Sequence, residues 1–187
     1  MDLIRPALLI LRRHVLRKNA GKDEMENANI VEKTSDVETF RSRLVDDVEV
    51  FEDYLGRALK KIEFYNWCSD VREEYVGMFY PGVLGVFLFR IDPARDGVDE
   101  WLWVVVGNLP EAYITSEDCP NAALALERYI GALEDWVEAA ENGDSVLDLI
   151  PVNVPATPEW AAELNGRLEF LKDRILPLHA VDLEALR

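Results

Sequence analysis

The sequence predicts an α+β fold in which a small antiparallel sheet packs with helices. Two apolar runs, VLGVFLFRI at 83–91 and WLWVVVG at 101–107, are rich in β-branched and aromatic residues, and both are too short for core helices. Longer segments before and after them repeat apolar residues every three or four positions, as helices do. Helices and strands do not alternate strictly, and this order is typical of α+β architecture with the helices on one face of the sheet.

The first 35 residues differ in composition from the rest of the chain. Residues 1–18, MDLIRPALLILRRHVLRK, place apolar side chains along one helical face with arginines opposite, which indicates a basic amphipathic helix. The apolar run 7–11 is too short for a signal peptide. Residues 19–35 are polar and typical of a linker. We therefore expect a basic amphipathic helix plus linker over 1–35, and a single α+β domain over 36–187.

The first helix of the domain is expected near 36–61. Ser35 and Glu38 match a capping box, in which each side chain bonds a backbone amide at the start of a helix. Apolar residues then recur at steps of three or four from Val37 to Ile62, which is a helical period. The outward positions of this segment are mostly acidic.

The two apolar runs are expected to form an antiparallel pair at the centre of the sheet. Strand alternation places Phe87 and Phe89 on one face and Val86 and Leu88 on the other. Because both faces are apolar, this strand should be covered on both sides. Short strands at 111–115 and 62–67 are candidates to extend the sheet.

Two further helices are expected in the last third of the chain. Asn121 is a suitable N-cap for a helix near 121–142, and Gly143 follows it where a left-handed residue commonly ends a helix. Thr157 precedes a helix near 158–176, with Pro158 at its first position.

Charge is the strongest global feature of the sequence. The chain has 36 acidic and 20 basic residues, a net charge of −16 and a pI near 4.5. Such a protein repels phosphates, so no direct binding of nucleic acid is expected. It attracts a basic protein and accelerates the encounter with it.

The sequence lacks the familiar motifs of cofactor and metal binding. It contains neither of the common glycine-rich phosphate loops. Its two histidines and two cysteines, His14, His179, Cys68 and Cys119, do not have the spacing of metal ligands. We therefore expect no cofactor, no metal and no catalytic residue, and reduced thiols in a cytoplasmic protein.

The aromatic-rich stretch 64–80 has two interpretations. Most of its rings fit a hydrophobic core, but several stand next to charged residues, and this mixture also suits a recognition surface. The second interpretation gives a hypothetical binding site built around six residues: Tyr65, Trp67, Asp70, Glu73, Glu74 and Tyr80.

These features favour a non-enzymatic, acidic, cytoplasmic binding protein. Its partner would be a basic protein, as for an inhibitor or an immunity-type protein. One alternative is a small enzyme or ligand-binding domain that uses carboxylates in a cleft between sheet and helices. Another is a membrane-peripheral protein tethered by residues 1–18.

Overall fold

The computed structural model describes residues 30–117 and 119–184, and its centre is a five-stranded antiparallel sheet. The strand order is β1-β2-β3-β4-β5, so each strand pairs with its neighbours in the sequence. The strands are β1 Ser35–Asp36, β2 Cys68–Tyr80, β3 Leu84–Pro93, β4 Trp101–Gly107 and β5 Ala112–Thr115. The α+β fold, the two central strands and the short strand at 111–115 are thus confirmed.

Helices cover both faces of this sheet. Helix α2 (Val48–Glu63) packs on the face that carries Phe87 and Phe89, while helix α3 (Ala122–Asn142) packs on the face that carries Val86 and Leu88. All four strand residues are fully buried. The coverage predicted from the apolar faces is confirmed, whereas the one-sided arrangement suggested by element order is not, because a strand that is apolar on both faces needs two layers of helices.

The single helix expected near 36–61 is two helices in the structure. Helix α1 (Val37–Arg41) ends early, and α2 begins after Asp47, which has a left-handed φ of 62°. Ser42 donates its hydroxyl to the Thr39 carbonyl, a local bond that competes with helix continuation. The apolar period runs through the break because both helices pack on the same face of the sheet.

The N-cap of α1 also differs from the predicted capping box. Asp36, not Ser35, accepts the hydrogen bond from the Thr39 amide, at 3.0 Å. Ser35 lies in β1 and pairs with β2. Residues 62–67 likewise form no strand: α2 runs to Glu63 and a turn follows.

Strand β2 is the longest element that the sequence patterns did not reveal. It has 13 residues, and its pairing with β3 is shifted at three places, between Cys68 and Asp70, Val71 and Glu73, and Val76 and Met78. Each irregularity moves the following side chains to the opposite face, which removes the two-residue alternation that marks a strand.

The last two predicted helices are confirmed, with one refinement. Asn121 caps α3 by accepting from the Leu124 amide at 3.0 Å, and Gly143 ends it with φ 72°. Helix α4 is regular over Pro158–Phe170 and continues as a π-helical turn, Leu171–Ile175, then a 3₁₀ turn, Leu176–His179. A final short helix, α5, spans Ala180–Leu183.

The described chain begins inside the folded body. Ile30 is buried against the α3 side of the sheet, and Lys33 forms an ion pair of 2.5 Å with Asp182. Residues 30–35, which we assigned to the linker, therefore pack with the domain. The predicted amphipathic helix over 1–18 lies outside the described residues.

Candidate functional site

A cleft runs along β5, the last strand of the sheet. Residues 111–114 form its floor. Its walls come from the end of α2 on one side and from α3 and the following loop on the other: Lys61, Tyr65, Arg128, Ala132, Ile150 and Pro151. The cleft is small, with a volume of about 40 Å³, opens to solvent and is lined mostly by apolar surface. This volume is well below that of a site for a drug-sized ligand.

The two edges of the sheet differ in protection. At the opposite edge β1 pairs only with Tyr75 and Val76 of β2, and the rest of β2 combines three pairing shifts with charged side chains. These are common defences against unwanted strand pairing. Strand β5 is short but regular, with all four residues paired to β4 in one register. The β5 edge, next to the cleft, therefore has fewer of these defences against strand pairing.

A cluster of three aromatic rings lies beside the cleft, and two of its members, Tyr65 and Tyr113, line it. Tyr65 and Trp67 stack with ring centroids 5.1 Å apart and planes 13° apart, and Tyr113 meets both rings at steep angles, at 5.3 and 5.2 Å. Trp67 is only 2% exposed. The cluster joins the turn after α2 to β5 and so fixes one side of the cleft.

Two polar atoms of this cluster are buried without a hydrogen-bond partner in the described part of the chain. They are Nε1 of Trp67 and the hydroxyl of Tyr113. Burial raises the pKa of the Tyr113 phenol to about 12, so the group is a neutral donor at physiological pH. Unpaired buried polar groups are uncommon and call for an explanation.

The charged residues of the cleft are unequally paired. Glu111 accepts from Nε of Arg57 at 2.7 Å, and the same guanidinium donates through Nη2 to the Gly107 carbonyl at 2.7 Å. Lys61 is partly buried and has no ion pair among the described residues. Burial lowers its pKa, with Glu111 acting in the opposite direction. The one carboxylate that lines the cleft is thus already engaged.

The six residues of the hypothetical site do not come together. Tyr65 and Trp67 are in contact, but Tyr80 lies at the far end of β2, a strand of 13 residues, or about 40 Å at the usual rise per residue. Asp70 is exposed near the start of that strand. Of the six residues, only Tyr65 and Trp67 belong to the aromatic cluster beside the cleft.

Glu73 and Glu74 face opposite sides of the sheet. Glu73 accepts hydrogen bonds from Tyr75 at 2.5 Å and from Arg90 at 2.7 Å, and these bonds lower its pKa. Glu74 lies on the side of α1, where burial raises its pKa and nearby Arg41 opposes that rise. Both positions are explained by local packing and ion pairing.

Tyr80 belongs to a contact that secures the end of the described chain. Its hydroxyl lies 2.7 Å from Nε2 of His179. Asp182 follows one turn later, pairs with Lys33 and accepts from Asn121 Nδ2 through its backbone carbonyl at 2.9 Å. This arrangement fastens the last turns to the start of α3.

The outer face of α3 is acidic. Its exposed positions carry carboxylates that enter no ion pair within the described ranges, and two more follow in the loop: Glu127, Asp135, Glu138, Glu141, Asp144 and Asp148. We call this set the acidic face of α3. The last turn of the helix contains no basic residue.

The described residues form no cluster of metal ligands, and the thiol of Cys68 is partly buried. They include no group of three or more His, Cys, Asp or Glu side chains placed to hold a metal ion. Burial raises the pKa of the Cys68 thiol, which makes it less reactive at neutral pH. No helix in the described part is long and apolar enough to cross a membrane.

Sequence reasoning missed the residues that give the cleft its chemistry. Lys61, Tyr113 and Ile150 lie far apart in the sequence, and only the tertiary fold brings them to one place. Comparison with known protein families, with curated proteins and with solved structures finds no match to the chain.

Proposed function

We propose that this protein is a non-enzymatic binding protein that recognises a basic protein partner, as an inhibitor or immunity-type protein does. The acidic face of α3 supports the proposal most directly. It presents carboxylates along one exposed helix side and continues into the loop that follows. Such a surface attracts a basic partner and increases its association rate.

The position of these carboxylates argues against a purely structural role. Glu138 and Glu141 lie near the C-terminus of α3, where the helix dipole disfavours negative charge. Asp135 and Glu138 are also like charges, at a spacing of three residues on the same helix. Because this arrangement lowers the stability of the helix, an external use of the charge explains it better.

A cytoplasmic setting is part of the same proposal. Cys119 is buried, Cys68 is partly buried, and the two form no disulfide in the described part of the chain. Free thiols are the ordinary state in a reducing compartment. The high net charge also favours solubility at high concentration.

The test compares two variants with the same change in net charge. One carries Asp135→Asn, Glu138→Gln and Glu141→Gln on the acidic face of α3. The control carries three substitutions at exposed carboxylates on separate surfaces: Asp46→Asn, Asp96→Asn and Asp173→Asn. Each protein is used to capture partners from native lysate at low and physiological salt, with identification by mass spectrometry.

We expect a basic protein to be retained by the wild type and by the control, and to be lost from the α3 variant. The same protein should be released as salt rises, because exposed charges are screened beyond about 10 Å at 0.1 M salt. Equal loss from both variants would show that only net charge matters. Retention by the α3 variant would overturn the assignment of this face.

A further inference from the structure

We propose that an open groove beside α4 is covered by residues 1–18 of the same chain, which lay their apolar face into it as an amphipathic helix. The β2–β3 turn, the loop after β4 and one side of α4 form the groove, and its lining includes Gly82, Val83, Asn108, Leu109, Arg167 and Phe170. None of these residues belongs to the acidic face of α3, so the groove is independent of the function proposed above.

The groove is large and mostly apolar. Its volume is about 480 Å³, against about 40 Å³ for the cleft along β5. Phe170 lines the groove with 48% of its surface exposed, although phenylalanine is among the residues most often buried in folded proteins. Covering such a depression with a second apolar surface removes hydrocarbon from water and is favourable.

The polar side chains of the groove are already bonded. Arg167 donates to the Asn108 carbonyl at 2.9 Å and to Glu163 at 2.5 Å, and Nδ2 of Asn108 donates to the Gly82 carbonyl. The Asn108 amide also donates to the Val83 carbonyl at 3.1 Å. These bonds fix the walls of the groove and leave apolar contact as the means of recognition.

A glycine keeps the groove open along α4. Gly166 lies on the exposed side of the helix, and a Cβ at this position would meet no atom within 4 Å. Packing inside the described chain therefore does not require glycine here, and glycine lowers the stability of a helix relative to alanine. The missing side chain allows a neighbouring helix to approach closely.

Residues 1–18 have the sequence pattern of a helix that binds in a groove. Their large apolar residues recur at steps of three or four: Ile4, Leu8, Leu11 and Val15. Amphipathic helices anchor in apolar grooves through residues at this spacing.

Charge favours this occupant over the folded body of a second copy. Residues 1–18 contain five basic residues and one acidic residue, which leaves 15 of the 20 basic and 35 of the 36 acidic residues to the rest of the chain. The segment 158–184, which contains α4 and the turns after it, carries six acidic and three basic residues. Residues 1–18 therefore complement the charge of this surface, whereas a second acidic body is repelled by it.

The described chain begins near the end of β2 that leads into the groove. Lys33 pairs with Asp182 at 2.5 Å, and His179, one turn before Asp182, contacts Tyr80. The groove lining begins two residues after Tyr80. Eleven residues separate residue 18 from Ile30, the first described residue, and an extended chain of that length spans roughly 36 Å. The segment can therefore reach the groove of its own chain.

The experiment uses the basic residues of the segment as protease sites. Trypsin cleaves after Arg12, Arg13, Arg17 and Lys18, and a docked helix resists cleavage because the protease needs a locally open backbone. Initial rates of cleavage at these four sites are measured on the full-length protein by mass spectrometry, at several protein concentrations.

Three variants disturb the proposed contact, and one serves as the control. Phe170→Asp places a charge in the groove, and Gly166→Leu fills the groove while it keeps its lining apolar. The third variant combines Leu8→Asp with Leu11→Asp on the segment. The control is Leu147→Asp, which makes the same change at a leucine that is 90% exposed in the loop after α3. Circular dichroism checks that each variant is folded, and Gly166→Leu provides the test of the groove if Phe170→Asp is not.

We expect slow and equal cleavage of the wild type and of Leu147→Asp. Cleavage of the three other variants should be at least roughly ten-fold faster, because proteolysis follows the population of the open form. Adding Phe170→Asp to the segment variant should increase the rate no further, since both changes remove the same contact.

Four results would overturn the proposal. Equal rates for the wild type and the segment variant would show that residues 1–18 do not dock. Protection that is lost in the segment variant but kept in both groove variants would place the segment on another surface. Protection that increases with protein concentration would indicate docking between copies, and protection that requires added anionic vesicles would assign the segment to a lipid surface.

Discussion

The hydroxyl of Tyr80 lies 2.7 Å from Nε2 of His179 and joins the end of β2 to the last turns of the chain. The rings also meet edge to face, with centroids 6.0 Å apart. The contact lies where a titratable group, the His179 imidazole, is partly buried between a strand and a 3₁₀ turn, and we expect this burial to make stability dependent on pH.

The first prediction concerns that dependence. Burial lowers the pKa of His179 below its ordinary 6.5, with Asp182 acting in the opposite direction. The folded state then binds fewer protons than the unfolded chain near this pH, so the free energy of unfolding rises with pH. The contribution of neutral His179 to stability is fully present above pH 6.5. It is lost as the pH falls through 6.5 toward the lower pKa of the folded state.

Urea unfolding between pH 8 and pH 5 measures this contribution, with His179→Gln as the comparison. The difference in the free energy of unfolding between wild type and His179→Gln should change with pH in that range. Tyr80→Phe should keep the slope, because burial rather than the hydroxyl is the larger cause. An identical pH profile for wild type and His179→Gln would refute the prediction.

A second prediction contrasts two tyrosines. Tyr129 donates to the Pro110 carbonyl at 2.7 Å, whereas the Tyr113 hydroxyl has no partner in the described residues. Tyr129→Phe should lower the free energy of unfolding by about 1–2 kcal/mol, and Tyr113→Phe should leave it unchanged or raise it by up to about 1 kcal/mol. Chemical denaturation of both variants measures these changes, and equal losses of stability in the two variants would contradict the prediction.

A third prediction identifies Arg57 as a structural anchor of the cleft. Its side chain bonds Glu111 and the Gly107 carbonyl and stands 5.4 Å from the Tyr54 ring centroid. Arg57→Ala should cost about 2 kcal/mol because it leaves partly buried partners without their donor. The exposed Arg43 is the control, and Arg43→Ala should change stability by less than about 0.5 kcal/mol. Similar thermal midpoints for the two variants would disprove the assignment.

A fourth prediction compares two glycines. A Cβ at Gly77 would lie 2.6 Å from Cβ of Ala122 and 2.8 Å from the Trp103 ring, so Gly77→Ala should cost about 1–3 kcal/mol by overpacking. At Gly131, within α3, a Cβ meets nothing within 4 Å. Gly131→Ala should therefore raise stability by about 0.5–1 kcal/mol. Stability changes of the same sign in both variants would contradict the close approach of β2 and α3.

The fifth prediction concerns the acidic face of α3. Neutralising Asp135, Glu138 and Glu141 should raise the free energy of unfolding by a few tenths of a kcal/mol per residue at low salt, since it relieves repulsion near the helix C-terminus. The gain should shrink at 1 M salt, where screening acts over about 3 Å. A loss of stability would mean that these carboxylates serve the fold itself.

Local patterns in the sequence determined most of the fold. Phe87 and Phe89 alternate with Val86 and Leu88, and Asn121 and Gly143 mark the ends of α3. These signals depend on neighbouring residues in the chain, so they can be recognised in the sequence without coordinates. Strand β2 was not predicted because its three pairing shifts remove the regular alternation of side chains between the two faces. The single helix expected near 36–61 is two helices because Asp47 adopts a left-handed φ.

The candidate cleft was decided only by the tertiary structure. Lys61 and Tyr113 are on different elements, and the sequence contains no spacing that relates them. Whether a tyrosine hydroxyl finds a partner also depends on where the backbone of another segment passes, as Pro110 does for Tyr129 and no described group does for Tyr113. Composition determined the charge of the protein, while packing decided which polar groups were left unpaired, because hydrogen bonds depend on distance in space rather than on order in the chain.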